Sequence, residues 1–257
     1  RDQPRSRGLG DVYKRQDYIF NKTEAITLEQ SKLTLSKDIT VLSFSDSSMV
    51  DRNSSIIKVD SGWIVYSKNS ESSILSFTSD GQFSGYIGHR GNGPGEYTSV
   101  YDVVVNQKSK VLEVLSDGGI FCYTFGGDFL DKKEVTYPAF SFAIDDRQNY
   151  WFYVGNNTTY GDAKMICTDE NIANVAYYLH QKSNMLPMVE NNFGRNGEWL
   201  TFHESLNHDL YTIENGKLDL SYAMDFPNYK LPKKLHELSG MEVIEELQRS
   251  NYASIIN

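Results

Sequence analysis

The stretch Gly88-His89-Arg90-Gly91-Asn92-Gly93-Pro94-Gly95-Glu96-Tyr97 gathers the most chemically suggestive residues of this 257-residue chain. Glycines this dense beside a basic pair invite comparison with a phosphate cradle, where backbone amides and a helix N-terminus hold an anion. The comparison fails because Pro94 stands where such a cradle needs lysine. A dinucleotide fingerprint fails too, since Tyr101 to Val105 downstream reads as a strand and not a helix. The glycines and Pro94 are expected instead to carry the chain from one strand to the next. Tyr97 then packs under the loop while Glu96 bonds its amides.

His203-Glu204-Ser205-Leu206-Asn207-His208 suggests zinc, but zincin histidines stand four apart on a helix. These two are five apart between strand-like runs, so no metal or other cofactor is expected. Asp102 is the obvious carboxylate on a would-be inner strand, amid Val103, Val104 and Val105. His89, Arg90, Glu96, Tyr97, Asp102, Asn156, Tyr160, His203 and His208 are the ligand-face candidates, with Lys68, Asp117 and Glu204 beside them. Asp60, Asp145 and Asp146 read as solvated turn residues capping their own backbone. No Gly-x-Ser-x-Gly elbow and no catalytic Cys/His pair is present, so no catalytic residue is assigned. Cys122 and Cys167, lacking Cys-x-x-Cys spacing, read as small core residues.

The elements that would position these residues come from a repeat. Asp80-Gly81-Gln82-Phe83, Gly127-Asp128-Phe129, Glu170-Asn171-Ile172 and Asn215-Gly216-Lys217-Leu218 are hairpin signals spaced 44 to 46 residues apart. Upstream of each lies a short aromatic or β-branched run: Trp63–Tyr66, Val111–Leu115, Trp151–Val154 and Trp199–Phe202. Before three of these lies a further apolar run, at Ile56–Val59, Val103–Val105 and Phe142–Ile144; the unit around Phe193 matches only in part. A period near 45 with four short strands per unit marks a β-propeller blade. Lone sheets of this kind expose two apolar faces, which stacking against neighbours buries.

After the fourth unit the texture changes. Residues 227–257 read as a helical insertion, with Leu238, Met241, Ile244 and Leu247 as its apolar stripe. Residues 51–226 are the blades, and residues 17–50 an N-terminal segment whose Ile39–Phe44 reads as a closing strand. Residues 1–16 have no apolar period and look like a non-native, adaptor-derived tail. The expected fold is all-β: a six-bladed type of propeller with about four blades present in an open ring.

The run Phe77-Thr78-Ser79-Asp80-Gly81-Gln82-Phe83, then Ile87-Gly88, then Gly91-Asn92-Gly93-Pro94-Gly95-Glu96-Tyr97, resembles the bacterial six-bladed propeller lipoproteins related to NHL and TolB-like repeats. The resemblance implies six blades, export, and attachment to the cell envelope by a lipid anchor that this chain does not include. It supplies no catalytic residue.

The formal charge is −9. Residues 1–16 carry a surplus of +3, so the rest holds −12. Such an acidic body repels phosphate backbones and argues against nucleic-acid binding. The function expected is a non-catalytic binding or scaffold module for a protein, peptide or glycan. The rival is a lactonase-like hydrolase or lyase with a metal in the axial channel, and it needs several carboxylates or histidines converging from inner strands.

Overall fold

The computed structural model describes residues 16–19, 38–43, 50, 53–68, 73–156, 161–180, 191–197, 199–204, 207–226, 230, 233–238 and 241–249. Tyr160, the tail up to Arg15 and Phe44 of the expected closing strand lie outside them. The chain divides into two compact units: one of residues 26–144 and 148–180, the other of residues 1–25, 145–147 and 181–257.

The first strand, β1 (Gln16–Ile19), belongs to the second unit. The first unit holds three antiparallel four-stranded sheets. Blade 1 is β2 (Ser55–Val59), β3 (Gly62–Tyr66), β4 (Ile74–Thr78) and β5 (Phe83–Ile87), in that spatial order. A parallel two-stranded pair follows, β6 (His89–Arg90) with β7 (Glu96–Tyr97). Blade 2 is β8 (Asp102–Asn106), β9 (Val111–Ser116), β10 (Gly119–Tyr123) and β11 (Phe129–Lys133). Blade 3 is β12 (Ser141–Ile144), β13 (Tyr150–Tyr153), β14 (Met165–Thr168) and β15 (Ala176–Tyr178).

Strand alternation explains how the blades stack. In blade 2, Leu112, Val114, Phe121 and Tyr123 join Ile64, Ile74 and Ile87 of blade 1 in one apolar core. One residue out of step, Leu115, Ile120 and Cys122 join Phe142, Tyr150 and Phe152 of blade 3 in a second. Strands buried on both faces need near-continuous apolar sequence, and β10, β13 and β14 are buried at every position. The outer strand β11 is exposed at four of its five residues, Phe129 to Lys132, and it carries Asp131 and Lys132.

The second unit holds a fourth blade: β16 (Phe193–Asn196), β17 (Trp199–His203), β18 (Asp209–Glu214) and β19 (Lys217–Asp225). The partial match around Phe193 is therefore a true strand. The strand β1 adds parallel to β19, Gln16 opposite Tyr222 and Ile19 opposite Asp225. Together these sheets make an all-β chain with four propeller-type blades and one short C-terminal helix.

That helix, α1 (Met241–Arg249), follows a 3-10 turn at Lys233–Glu237. The apolar stripe differs from the expected one. Met241 and Ile244 are exposed, whereas Val243 and Leu247 pack with Leu235 and Leu238. A strict three-residue step drifts off a 3.6-residue face, while Val243 and Leu247, four apart, stay on it. Among the described residues no helix is long and apolar enough to cross a membrane.

All four hairpin signals fall between the third and fourth strands of a blade. The third lacks glycine, yet Ile172 and Asn174 adopt φ of 59° and 51°. Asp169 supports them: its Oδ1 accepts the amides of Asn171 at 3.0 Å and Ala173 at 2.9 Å. Asp145 departs from the expectation of a solvated turn residue. It is buried, although its Oδ1 does accept the Arg147 amide at 2.9 Å.

Candidate functional site

The glycine-rich loop connects the outer strand β5 to the inner strand β8, and its polar atoms are spent on holding its shape. Glu96 turns inward and accepts the Gly93 amide at 2.8 Å. A Cβ on Gly91 would sit 2.0 Å from that same carboxylate, so a larger residue there would push the Glu96 side chain off the Gly93 amide. Tyr97 is fully buried. Its hydroxyl donates to Ile87 O and accepts the Ile74 amide, each at 3.3 Å. The Tyr123 hydroxyl donates to Gly95 O at 2.9 Å from blade 2. What remains for a visitor is His89, Arg90 and Asn92, all exposed. Arg90 donates from Nε to Thr98 O at 2.9 Å, which orients its guanidinium.

Beside the loop, Asp117 collects hydroxyls from Thr98 and Ser99, each at 2.7 Å, and from Tyr101. These donors, Tyr101 foremost, hold its carboxyl below the usual range. The result ties the loop's exit to the turn after β9. Asn156 lies half-buried in the turn after β13.

Asp102, the expected inward carboxylate, opens β8 but does not project into open space. Its Oδ1 accepts Lys68 Nζ at 2.8 Å and the Val103 amide at 3.0 Å. Its Oδ2 accepts the Phe142 amide at 3.0 Å, and the Tyr66 hydroxyl bonds it as well. Both charged side chains are only 9% exposed. Burial raises the Asp102 carboxyl above its ordinary value, with Lys68 and then the two amides opposing it. Burial, then the Asp102 charge, likewise pushes the Tyr66 phenol far up. Lys68 and Tyr66 come from blade 1, Asp102 from blade 2 and Phe142 from blade 3. A carboxylate saturated by four donors is a tie across three sheets, and it has little left for a proton transfer or a ligand.

Sequence reasoning missed a second buried carboxylate. Glu113, central in β9 and 2% exposed, accepts Asn106 Nδ2 at 3.0 Å and the Tyr150 hydroxyl at 2.8 Å. Lys133 donates to the same hydroxyl, its Nζ 4.7 Å from the ring centroid. Cys122 stands directly opposite Glu113, and burial, helped by that charge, pushes its thiol up to about 12. The available signal was a lone acid inside the apolar run Val111-Leu112-Glu113-Val114-Leu115.

In the fourth blade, His203 ends β17 and is 4% exposed. Its amide donates to Asn192 O at 3.0 Å, yet among the described residues neither ring nitrogen has a hydrogen-bond partner. Burial lowers its pKa, with Glu204 opposing. His208 packs edge-on against Phe226, ring centroids 4.8 Å apart. The two histidines thus have separate packing roles. Among the described residues no three His, Cys, Asp or Glu side chains are grouped as metal ligands would be.

Stacked antiparallel four-stranded sheets tied at their inner strands define a propeller-class protein whose loop face carries the exposed polar groups. Residues 19–257 match the model of a family described as a domain of unknown function, DUF4934, and the chain belongs to that family. Its fold is similar to that of a Bacteroides fragilis protein described as exported. The TM-score is 0.76 at 15% identity, covering 92% of this chain and 69% of that one. A member of the DUF4221 family from Bacteroides vulgatus matches at TM-score 0.48 and 10% identity, over 76% of this chain and 64% of that one. The extracellular domain of a hybrid two-component system from B. thetaiotaomicron matches at TM-score 0.36 and 15% identity, over 65% and 21%. No curated protein matches the chain in sequence.

Proposed function

We propose that this chain is part of a non-catalytic binding or scaffold module of the cell envelope. It recognises a protein, peptide or glycan through the loop face that carries His89 and Arg90. The observation that supports this reading is the division of labour within the glycine-rich loop. Glu96 and Tyr97 are consumed in building it, and Arg90 is held oriented at its exposed surface. A rigid surface that presents oriented donors spends little entropy on binding. Asp102 supports the same reading, because its oxygens join blades where an enzyme would aim them at a substrate. The finer proposal is a six-bladed lipoprotein of the NHL and TolB-like kind, lipid-anchored ahead of the blades. The exported description of the B. fragilis protein fits an envelope setting.

The test is a glycan array together with a library of acidic and neutral peptides. Wild type and the His89→Ala/Arg90→Ala double variant are compared after their thermal melts are shown to coincide. Binding by wild type that the variant loses by tenfold or more, on the order of 1.4 kcal/mol, supports the reading. Equal binding by both, or turnover of a lactone substrate abolished by Asp102→Asn, overturns it.

A further inference from the structure

Leu179 and His180 close the outer strand of blade 3 as Gly88 and His89 close that of blade 1. Ile87 pairs with Ile74 and Tyr178 pairs with Met165, each at the last step of its ladder. The next residue turns left-handed in both, Gly88 at φ +59° and Leu179 at φ +58°, and a histidine follows. Glycine adopts that conformation freely, whereas a Cβ crowds the following carbonyl oxygen there. Blade 3 thus keeps a leucine in a backbone shape that it resists, and something nearby must hold it.

The His180 ring is placed to do so. Its Nδ1 lies 3.0 Å from Asp162 Oδ1, and its Nε2 lies 3.2 Å from Tyr177 O. An ionised carboxylate and a peptide carbonyl only accept hydrogen bonds, while a neutral imidazole has a single N–H to give. Both contacts are hydrogen bonds at once only when both nitrogens carry protons. The Lys164 amide closes the same corner, donating to Tyr178 O at 3.2 Å and Leu179 O at 3.1 Å. Asp162 belongs to the β13–β14 connection and His180 to the exit of β15, 18 residues apart along the chain.

We infer that His180 is a proton-operated latch on the loop face of blade 3. As imidazolium it fastens the β13–β14 connection to the end of the outer strand; as neutral imidazole it must let go of one of the two. The device is independent of what the loop face binds. Among the described residues Asp162 is the charged group that acts on the ring. Its hydrogen bond is the main cause raising the ring above the ordinary histidine value; desolvation opposes, and its charge and the Tyr177 carbonyl assist. Lys164, beside β14, has its side chain buried, whereas the ring is exposed. A histidine raised in the folded state adds stability below its ordinary value and loses it as pH rises through the raised one. The latch therefore closes in acid. On opening, Leu179 is free to relax, and the Lys164 amide loses an acceptor.

NMR spectroscopy of the folded protein tests this. The His180 ring nitrogens and the exchange of the Lys164 amide are followed from about pH 5 to about pH 9, the span in which histidines titrate. Val154, whose amide donates to Lys164 O at 2.8 Å, is the reference, because hydroxide catalyses exchange of both amides alike. Protection of Lys164 relative to Val154 is expected to fall roughly threefold or more as pH passes the His180 midpoint, as for a local opening. Asp162→Asn should lower that midpoint, and His180→Gln, which does not titrate, should erase the step. Both substituted side chains are exposed, so the blade itself is left intact. A midpoint unmoved by Asp162→Asn, a ratio that stays flat in wild type, or a step that survives His180→Gln overturns the inference.

Discussion

Removing the Asp102 carboxylate is the sharpest perturbation the fold offers. Asp102→Ala strands Lys68, whose side chain is 9% exposed, and orphans the Phe142 amide at the start of β12. The zero to ~1 kcal/mol typical of surface ion pairs therefore does not apply. Breaking a buried pair by deleting one partner costs about 3–5 kcal/mol. At about 2–4 °C per kcal/mol for a chain of this size, the melting temperature should fall by about 6–20 °C. The pair itself need not be a net stabiliser, because burial outweighs Lys68 in setting the carboxyl's pKa. Asp102→Asn combined with Lys68→Met, which removes both charges, should thus recover much of the loss. The sign with pH follows from the raised pKa. Folded Asp102 holds its proton more tightly than unfolded Asp102, so its contribution is fully present below the ordinary carboxylate range and is lost as pH rises through the raised value. Asp102→Asn should lack that component. Urea unfolding followed by circular dichroism reads all three. A loss under about 1 kcal/mol for Asp102→Ala, or a double variant as damaged as the sum of its singles, would refute the reasoning.

Three further outcomes are expected. Tyr97→Phe deletes a buried hydroxyl that bonds Ile87 O and the Ile74 amide, and should cost about 1–3 kcal/mol in urea unfolding with blade structure retained. Neither Cys122 nor Cys167 should react with a thiol reagent in the folded protein, and both should react in denaturant; native labelling of Cys122 would contradict its burial and its thiol pKa of about 12. The lowered pKa of His203 gives stability present above the ordinary histidine value and lost as pH falls below it; His203→Leu should flatten that part of the stability–pH profile, as thermal melts at successive pH values would reveal.

The blades were legible because their punctuation is chemical. Gly81, Gly127, Asn215 and Gly216 stand in hairpins at positive φ, which glycine and asparagine tolerate. The inward roles of Glu96 and Tyr97 were legible too, since a carboxylate and a phenol beside so many glycines have loop amides and carbonyls at hand. Contacts between blades were not legible. Asp102 meets the Phe142 amide across 40 residues and Glu113 meets Tyr150 across 37, and no local pattern encodes either meeting. Asp145 was misplaced for a related reason: its turn chemistry was right, but burial of a turn depends on what packs over it. The helix stripe failed at Met241 and Ile244 because a three-residue step imitates a helical face for only about two turns.

A stack of sheets in which each touches only its neighbours ordinarily contains damage, because a fault at one seam leaves the next intact. The carboxylate at the head of β8 removes that insulation, since its oxygens reach both adjoining sheets at once. Thermal fraying at either seam would pull on the same two atoms. The three sheets should therefore melt as a block, and a lesion at this one position should behave as two.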